Sequence, residues 1–462
     1  MRILLIAYDN GSYIHIFPQG IAYIASVLLK QGHDVELYNQ DKFHYSEEHL
    51  TRYLDNNRFD FVGLGVIGGY YQYRKLLKIS DAINRSRQRP FYMIGGHGPS
   101  PEPEYFLKKS GADAAIIGEG EETVIELIES VANRKPLTKI DGIAYLDGKK
   151  VVINKRRGLI KDIDSIPFPA YGLFPIDYYR LFRDITMGKS DFMMPILSGR
   201  GCTFNCNFCY RMDEGFRPRS EKSIIEEIEL LKTQYDINYI DFTDELLMSS
   251  EERTVSLCES FIRAGLNIRW KCNGRLNYAK KDVLKLMKES GCVFINYGIE
   301  AMDNEVLKNM KKALTVDIII KGVEGTISAG ITPGLNLLFG NIGDTNRTLK
   351  KAVDFLIKYD DGAQLRTLRP VTPYPGSPLY YYAIEKGLLK DVKDFYENKH
   401  MNSDLPAVNF TELSDDEFHM CLKDANERLL DNYYNKKLLA SRRQCEELYV
   451  KKNAAFRGFR QT

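Results

Sequence analysis

No cysteine precedes Cys202 in this chain of 462 residues, so nothing ahead of that point can hold a cluster on three thiolates. An excess of charge is missing too. Lysine and arginine number 64 against 62 aspartates and glutamates, a net charge of +2, and this balance argues neither for nucleic acid nor for an anionic membrane surface as a partner. No apolar run approaches the roughly 18 residues of a membrane span. The amino-terminal apolar stretch after Met1 and Arg2 is too short for a signal peptide and reads as a buried first strand, which predicts a cytoplasmic protein. Long internal repeats and low-complexity tracts are absent. The length exceeds one ordinary domain and suggests about three.

What the sequence does contain is a cysteine run, Gly199-Arg200-Gly201-Cys202-Thr203-Phe204-Asn205-Cys206-Asn207-Phe208-Cys209-Tyr210, directly after a short apolar stretch at 193–198. Three thiolates at C-x3-C-x2-C spacing can hold three corners of a four-iron cluster. Full ligation takes four cysteines, and no fourth lies nearby, so one iron would stay open to a small molecule. The alternative is a structural zinc site, which wants a closed tetrahedron and a second cysteine or histidine pair that the neighbourhood lacks. The remaining cysteines, Cys258, Cys272, Cys292, Cys421 and Cys445, stand singly in apolar or helical settings, as small core residues do. Disulfides are disfavoured, because such spacings without a secretory signal belong to metal or redox work in a reducing compartment.

With its aromatic before the third cysteine, the run resembles the radical S-adenosylmethionine (SAM) superfamily. The resemblance implies that Cys202, Cys206 and Cys209 ligate a [4Fe-4S] cluster and that SAM chelates the open iron. Electron transfer would then cleave SAM to methionine and a 5'-deoxyadenosyl radical.

Ahead of the run, short β-branched stretches at 3–7, 34–38, 61–65, 91–94 and 114–117 alternate with helical patterns at 20–30, 47–55, 71–84, 103–109 and 121–131. Five β-α repeats predict an open, doubly wound parallel sheet over residues 1–133, with ligands bound beyond the carboxyl ends of the strands. The loops there are glycine-rich: Gly63-Leu64-Gly65-Val66-Ile67-Gly68-Gly69, Gly95-Gly96-His97-Gly98 and Gly118-Glu119-Gly120. No G-x-G-x-x-G follows the first strand, where Tyr8-Asp9-Asn10-Gly11-Ser12 stands, so dinucleotide binding is disfavoured. The segments Phe17-Pro18-Gln19-Gly20, Gly95-Gly96-His97-Gly98-Pro99-Ser100 and Gly118-Glu119-Gly120-Glu121 resemble the cobalamin-binding domain that precedes one branch of radical SAM enzymes. By that resemblance Tyr8, Gly65, Gly96, His97, Gly118 and Glu119 contact cobalamin. The D-x-H-x-x-G motif is missing, so the resemblance implies a corrin whose lower face has no protein histidine; His15 and His97 are equally read as loop histidines without a metal role. The absence of early cysteines argues against the methylthiotransferases of the superfamily.

Residues 134–190 read as a connector with a hairpin across Asp147-Gly148 and an extended Ile166-Pro167-Phe168-Pro169. From 191 to 390, strand candidates at 193–198, 239–243, 268–273, 293–299, 332–339 and 363–368 alternate with helices. This predicts a partial (β/α)6 barrel working at its carboxyl rim, where Asp244 and Glu300 should meet cationic or hydroxyl partners. The resemblance implies SAM contacts at Thr243 and Asp244, in place of the family's Gly-Gly-Glu, at Glu300 toward the ribose hydroxyls, at Arg217 or Ser220 toward the methionine carboxylate, and at Gly340 near adenine. Asp344 or its neighbours would be the terminal acid of that last element. Arg217 and Arg219 are equally read as solvated or helix-start charges, and Ser220 as a helix cap. Residues 391–462 read as a helical tail, most clearly at 414–433, with a basic end at Arg442, Arg443, Lys451, Lys452, Arg457 and Arg460.

The whole reads as an α/β chain: a Rossmann-like cobalamin-binding sheet, a TIM-like radical SAM half-barrel and a helical tail. The activity implied is cobalamin-dependent methylation of an unactivated carbon in a small molecule, with an external electron donor such as flavodoxin or ferredoxin. No catalytic acid or base is assigned. The alternatives are cobalamin-dependent cyclisation or rearrangement without methyl transfer, a radical SAM enzyme that binds no cobalamin, and a non-catalytic cobalamin- or SAM-binding regulator.

Overall fold

A strand apolar on both faces belongs in the middle of a parallel sheet, and residues 3–7 of β1 (Arg2–Ala7) are all buried. In the computed structural model, which describes residues 1–11, 15–212 and 214–456, β1 pairs in parallel with β2 (Asp34–Asn39) and β3 (Phe61–Gly65). The ladder continues through β4 (Phe91–Gly95) and β5 (Ala114–Ile116). Ser12, Arg457 and Arg460 lie outside the described residues. The hairpin expected in the connector, β6 (Ile143–Asp147) and β7 (Lys150–Ile153), adds antiparallel to β5, so the sheet runs β2-β1-β3-β4-β5-β6-β7 and extends past residue 133. Helices Gln19–Lys30 and Glu121–Ala132 cover one face through Tyr23, Leu28, Val124 and Leu127; Glu47–Asn56, Tyr70–Asn84 and Pro103–Ser110 cover the other through Leu50, Tyr73 and Phe106. The order reverses between β1 and β3, where open α/β sheets place their ligand crevice.

The second sheet opens with β8 (Met193–Ile196), after which the chain forms a two-stranded antiparallel ribbon, β9 (Gly199–Cys202) and β10 (Gly215–Pro218). Strands β11 (Tyr239–Phe242), β12 (Arg269–Gly274), β13 (Cys292–Glu300), β14 (Thr332–Phe339) and β15 (Arg369–Pro370) complete a curled, all-parallel half-barrel in the order β15-β14-β13-β12-β11-β8. The flanking helices Glu221–Tyr235, Glu251–Arg263, Val316–Ser328 and Asn346–Lys358 are capped by Ser220, Ser250, Thr315 and Thr345, whose side chains each accept an N–H from the first turn. The expected sixth strand at 363–368 is not one. That stretch is irregular because buried Arg366 is drawn to the Asp360 carboxylate, also buried, and to the exposed Asp361, and only Arg369 and Pro370 reach the ladder.

Beyond β15 the chain returns to the first sheet, where Tyr380, Phe395 and Tyr396 join its core; the Tyr396 hydroxyl donates to the carbonyl of Gly68. The tail helix is longer than its apolar pattern suggests, Asp415–Cys445 rather than 414–433, and opens with a capping box between Ser414 and Glu417. Phe418, Leu422, Ala425 and Leu429 bury one stripe of it against the half-barrel. No helix among the described residues is long and apolar enough to cross a membrane.

Candidate active site

Ribbon β9–β10 leaves the carboxyl end of β8 and carries Cys202 at its tip; Cys206 and Cys209 follow in the loop it encloses. Cys206 is buried and shares a hydrogen bond with Cys209. That bond, with the nearby Lys312 and Arg275 cations, lowers the Cys206 thiol to about 6, whereas the same pairing pushes Cys209 up and burial pushes Cys202 up. A cationic surround favours thiolates, the form that binds iron. Among the described residues no group of three or more His, Cys, Asp or Glu side chains is gathered around a single-ion position. What the structure does bring together is three thiols on one loop beside two cations, a donor set that suits three corners of an iron-sulfur cluster.

The loop is clamped by its own aromatic residues. The Arg275 guanidinium lies over the Phe204 ring at 3.4 Å, and the Lys312 ammonium over Phe208 at 5.7 Å. Lys312 also pairs with Glu300 at 2.9 Å, the cationic partner expected for this carboxylate. Glu300 has φ +69°, a left-handed conformation unusual for a non-glycine residue and typical of functional rims. A Cβ at Gly298 would overlap the Glu300 carboxylate, so glycine is what lets the Glu300–Lys312 pair lie across β13.

Asn207, which the sequence pattern passed over, pins the loop from within. Its N–H donates to the Met310 carbonyl, its carbonyl accepts from Leu379, and its side-chain amide pairs reciprocally with that of Asn341 at 3.1 and 3.2 Å. Asn341 is fully buried. The only signal available beforehand was a polar residue placed between two cluster cysteines. Replacing Asn207 by leucine strands the Asn341 amide nitrogen, whose oxygen keeps the Ile342 N–H, and we expect a stability loss of about 2 kcal/mol with slower cluster uptake. Urea unfolding and iron uptake during anaerobic reconstitution measure both effects; unchanged uptake would show the amide pair to be dispensable.

The structure gives the other expected SAM contacts varied settings. Thr243 stands at the carboxyl end of β11 and donates at 2.7 Å to Gln19 of the first sheet's leading helix. Asp244 is turned inward: one carboxylate oxygen accepts from the backbone N–H groups of Ser198 and Gly199 at 2.7 and 2.8 Å, and burial raises its carboxyl to about 6. It shapes the entry to the cysteine loop, as Asp344 shapes the turn after β14 by accepting from Gly340, Asn341 and Thr348. A side chain at Gly340 would meet the Phe418 ring, so that glycine lies under the tail helix. Ser220 is the cap of Glu221–Tyr235. Arg217 pairs with Glu119 at 2.9 Å and donates to the Ile160 carbonyl, across to the first sheet. Arg219 is buried and pairs with Glu227, so it is not a solvated charge.

At the opposite rim, Tyr8, Gly65, Gly96 and Gly118 stand at the carboxyl ends of β1, β3, β4 and β5, as expected for a ligand floor. The loops are stitched together by hydrogen bonds from Val66 to Gly95 and from Gly98 to Val66. Ile67 projects from this floor 62% exposed, an apolar side chain suited to a flat corrin face, and burial raises the Tyr8 phenol to about 12. An exposed apolar side chain beside glycine-rich loops is a surface of the kind that a corrin face would meet. Glu119 instead has both oxygens committed, to Arg200 and Arg217, each at 2.9 Å. His97 lies in the loop after β4 with part of its surface exposed, and desolvation lowers its basicity. Its ring is edge-on to Tyr210, the residue after Cys209, at 6.1 Å. Tyr210 packs over Gly376, where a Cβ would collide with its ring at 2.5 Å, so the two rims and the segment after β15 meet at one point.

Comparison with known proteins agrees with this geometry. Residues 12–128 match the B12 binding domain and residues 196–356 match the radical SAM superfamily. The chain is 29% identical over 401 residues to an uncharacterized methyltransferase of Pyrococcus horikoshii, covering 84% of each chain. It is 26% identical to the anaerobic magnesium-protoporphyrin IX monomethyl ester cyclase of Rubrivivax gelatinosus, covering 82% of this chain and 68% of the relative. The fold is shared with the radical SAM methyltransferase TsrM of Kitasatospora setae, with a TM-score of 0.70, 19% identity, and coverage of 83% of this chain and 76% of that one. With a B12 binding domain set ahead of a radical SAM half-barrel, and their two rims face to face, the chain belongs to the cobalamin-dependent radical SAM enzymes.

Proposed function

We propose that this enzyme methylates an unactivated carbon of a small molecule held between the two rims. The observation that carries the reading is their juxtaposition, with His97 of the first sheet set against Tyr210 of the cysteine loop. Similarity to a methyltransferase along most of both chains supports it. Cys202, Cys206 and Cys209 would hold the cluster; Thr243 and Glu300 would border SAM; Tyr8, Gly65, Gly96 and Gly118 would underlie cobalamin. When bound, these groups supply a 5'-deoxyadenosyl radical from SAM and a methyl group carried on the corrin.

The chain's own residues bind, orient and exclude water. Glu300, held by Lys312 through one oxygen, keeps acceptor capacity for a vicinal diol. Arg275 and Lys312 hold the cysteine loop by its aromatic rings, and Arg275 also reaches the Cys206 thiol. Tyr210, Gly376 and His97 narrow the junction, where a radical must be kept from solvent. A reductant is needed, and we propose a flavodoxin or ferredoxin in the cytoplasm, in keeping with eight free cysteines.

A second reading, radical ring closure without methyl transfer, is favoured by the similarity to the cyclase. The deciding experiment is anaerobic purification with cobalamin supplied, with iron, sulfide and corrinoid measured on one sample, followed by product mass. One four-iron cluster and one corrinoid per chain, with a product heavier by one methylene, supports methylation. A corrinoid-bearing enzyme whose product gains no carbon supports ring closure. A cluster without corrinoid overturns both.

A further inference from the structure

Inside the half-barrel lies a cavity of about 460 Å³, within the range of small-molecule pockets. Strands β11, β12 and β13 turn Asp241, Thr243, Lys271, Asn273 and Asn296 into it, Asp184 comes from the segment ahead of β8, and Gln364 from the irregular stretch before β15. Ile185 and Phe294 are the larger apolar side chains lining it, so a flat apolar macrocycle finds no matching face.

The polar groups are unevenly matched. Two carboxylates face one ammonium: the Lys271 Nζ lies 2.7 Å from Asp184 Oδ2 and 3.0 Å from Asp241 Oδ2. That leaves Asp184 Oδ1 buried without a protein donor, and Gln364 Oε1 is in the same position. Both orphans are acceptors, and a buried acceptor without a donor is costly. Above them runs an amide ladder in which Asn336 donates to Asn296, Asn296 to Asn273 and Asn273 to the Asp244 carbonyl. Each amide nitrogen has a second N–H, so the ladder can also donate to an oxygen.

We infer that this cavity is the substrate pocket and that it selects a small polar molecule bearing a protonated amine beside an acceptor oxygen. The ammonium supplies the donors that Asp184 and Gln364 lack and balances the surplus carboxylate, while Asn273 and Asn296 hold the oxygen. Thr243, which lines the same cavity, links it to the rim where SAM would lie. The inference rests on the half-barrel being the catalytic unit and deepens that reading by naming the substrate class.

The test is ligand-observed NMR on the full-length purified protein with a panel of amino sugars and short amino alcohols, each paired with the analogue carrying a hydroxyl for the amine. Glucosamine against glucose is the first pair. Amines should bind at least about tenfold more tightly than their hydroxyl partners, since hydrogen bonds to charged groups are worth that much or more. Asp184→Asn and Gln364→Met should each shrink the preference. Equal binding within pairs, better binding of glucuronate, or no binding across the panel would overturn the inference. Iron content and SAM cleavage measured on the same preparation keep the two readings apart: a loaded, SAM-cleaving enzyme without amine preference sinks only the substrate class, whereas amine preference in a chain that takes up no iron sinks only the radical SAM reading.

Discussion

Replacing Cys202, Cys206 and Cys209 together by alanine is expected to abolish iron binding and SAM cleavage while the chain stays folded and keeps its affinity for cobalamin. The loss is all-or-none because no other cysteine stands near the loop to substitute as a ligand. The fold survives because the loop is held by groups other than thiols: Phe204 under Arg275, Phe208 under Lys312, and Asn207 against Asn341 and the Met310 and Leu379 backbones. Removing three small sulfur atoms from so braced a loop costs little packing, and the two cations beside the Cys206 thiol keep other partners, Arg275 the Lys312 carbonyl and the Phe204 ring, Lys312 the Glu300 carboxylate. Iron and 5'-deoxyadenosine should both fall to background, and the corrinoid spectrum after cobalamin addition should match that of the unaltered protein. SAM cleavage retained by the triple variant would sink the cluster assignment; loss of corrinoid binding would show that the cysteine loop also shapes the opposite rim.

The cysteine run, the two parallel sheets and their glycine-rich loops were legible because each depends on local pattern. Residues 3–7 are apolar throughout, as a strand buried on both faces must be, and the C-x3-C-x2-C spacing fixes ligand separation within one loop. What the local pattern does not carry depends on contacts distant in sequence. The ribbon β9–β10 shows no alternation, being half glycine in Gly199–Cys202, and forms because its ends are tied elsewhere. Residues 363–368 have a strand-like composition, yet Arg366 finds Asp360 and Asp361 and the stretch becomes part of the cavity wall. Asp244 and Glu119 stand out locally as acids in loops, but their partners lie elsewhere in the chain: one serves the backbone of Ser198 and Gly199, and the other serves two arginines from the far domain.

Glu119 therefore supports the second large prediction, that Glu119→Ala destabilises the union of the two sheets by about 3–5 kcal/mol, the usual cost of removing one partner from a buried ion cluster. Its side chain is 7% exposed, and its two oxygens hold Arg200, Arg217 and the Ile160 N–H. Burial opposes ionisation, yet hydrogen bonds from Arg217 and Arg200 hold the carboxyl below its ordinary range. With the folded-state value depressed, the stabilisation is present above the unfolded carboxylate range and is lost as acid titrates the folded group. Alanine takes one carboxylate from each arginine, leaving Glu121 as the described acid on Arg200 and the Ile160 carbonyl on Arg217. Because Arg200 and Arg217 are paired across ribbon β9–β10, the damage should reach Cys202 at its tip, lowering cluster occupancy as well as the unfolding midpoint. A double-mutant cycle joining Glu119→Gln with Arg200→Met separates this strut from a cobalamin contact. Measured without cobalamin, a strut gives a coupling energy of about 2 kcal/mol, whereas a residue that serves only the cofactor gives none. A coupling present without cobalamin would mean that the chain itself, rather than its bound groups, sets the separation of the two rims, and so sets how far a methyl group has to travel to reach the substrate.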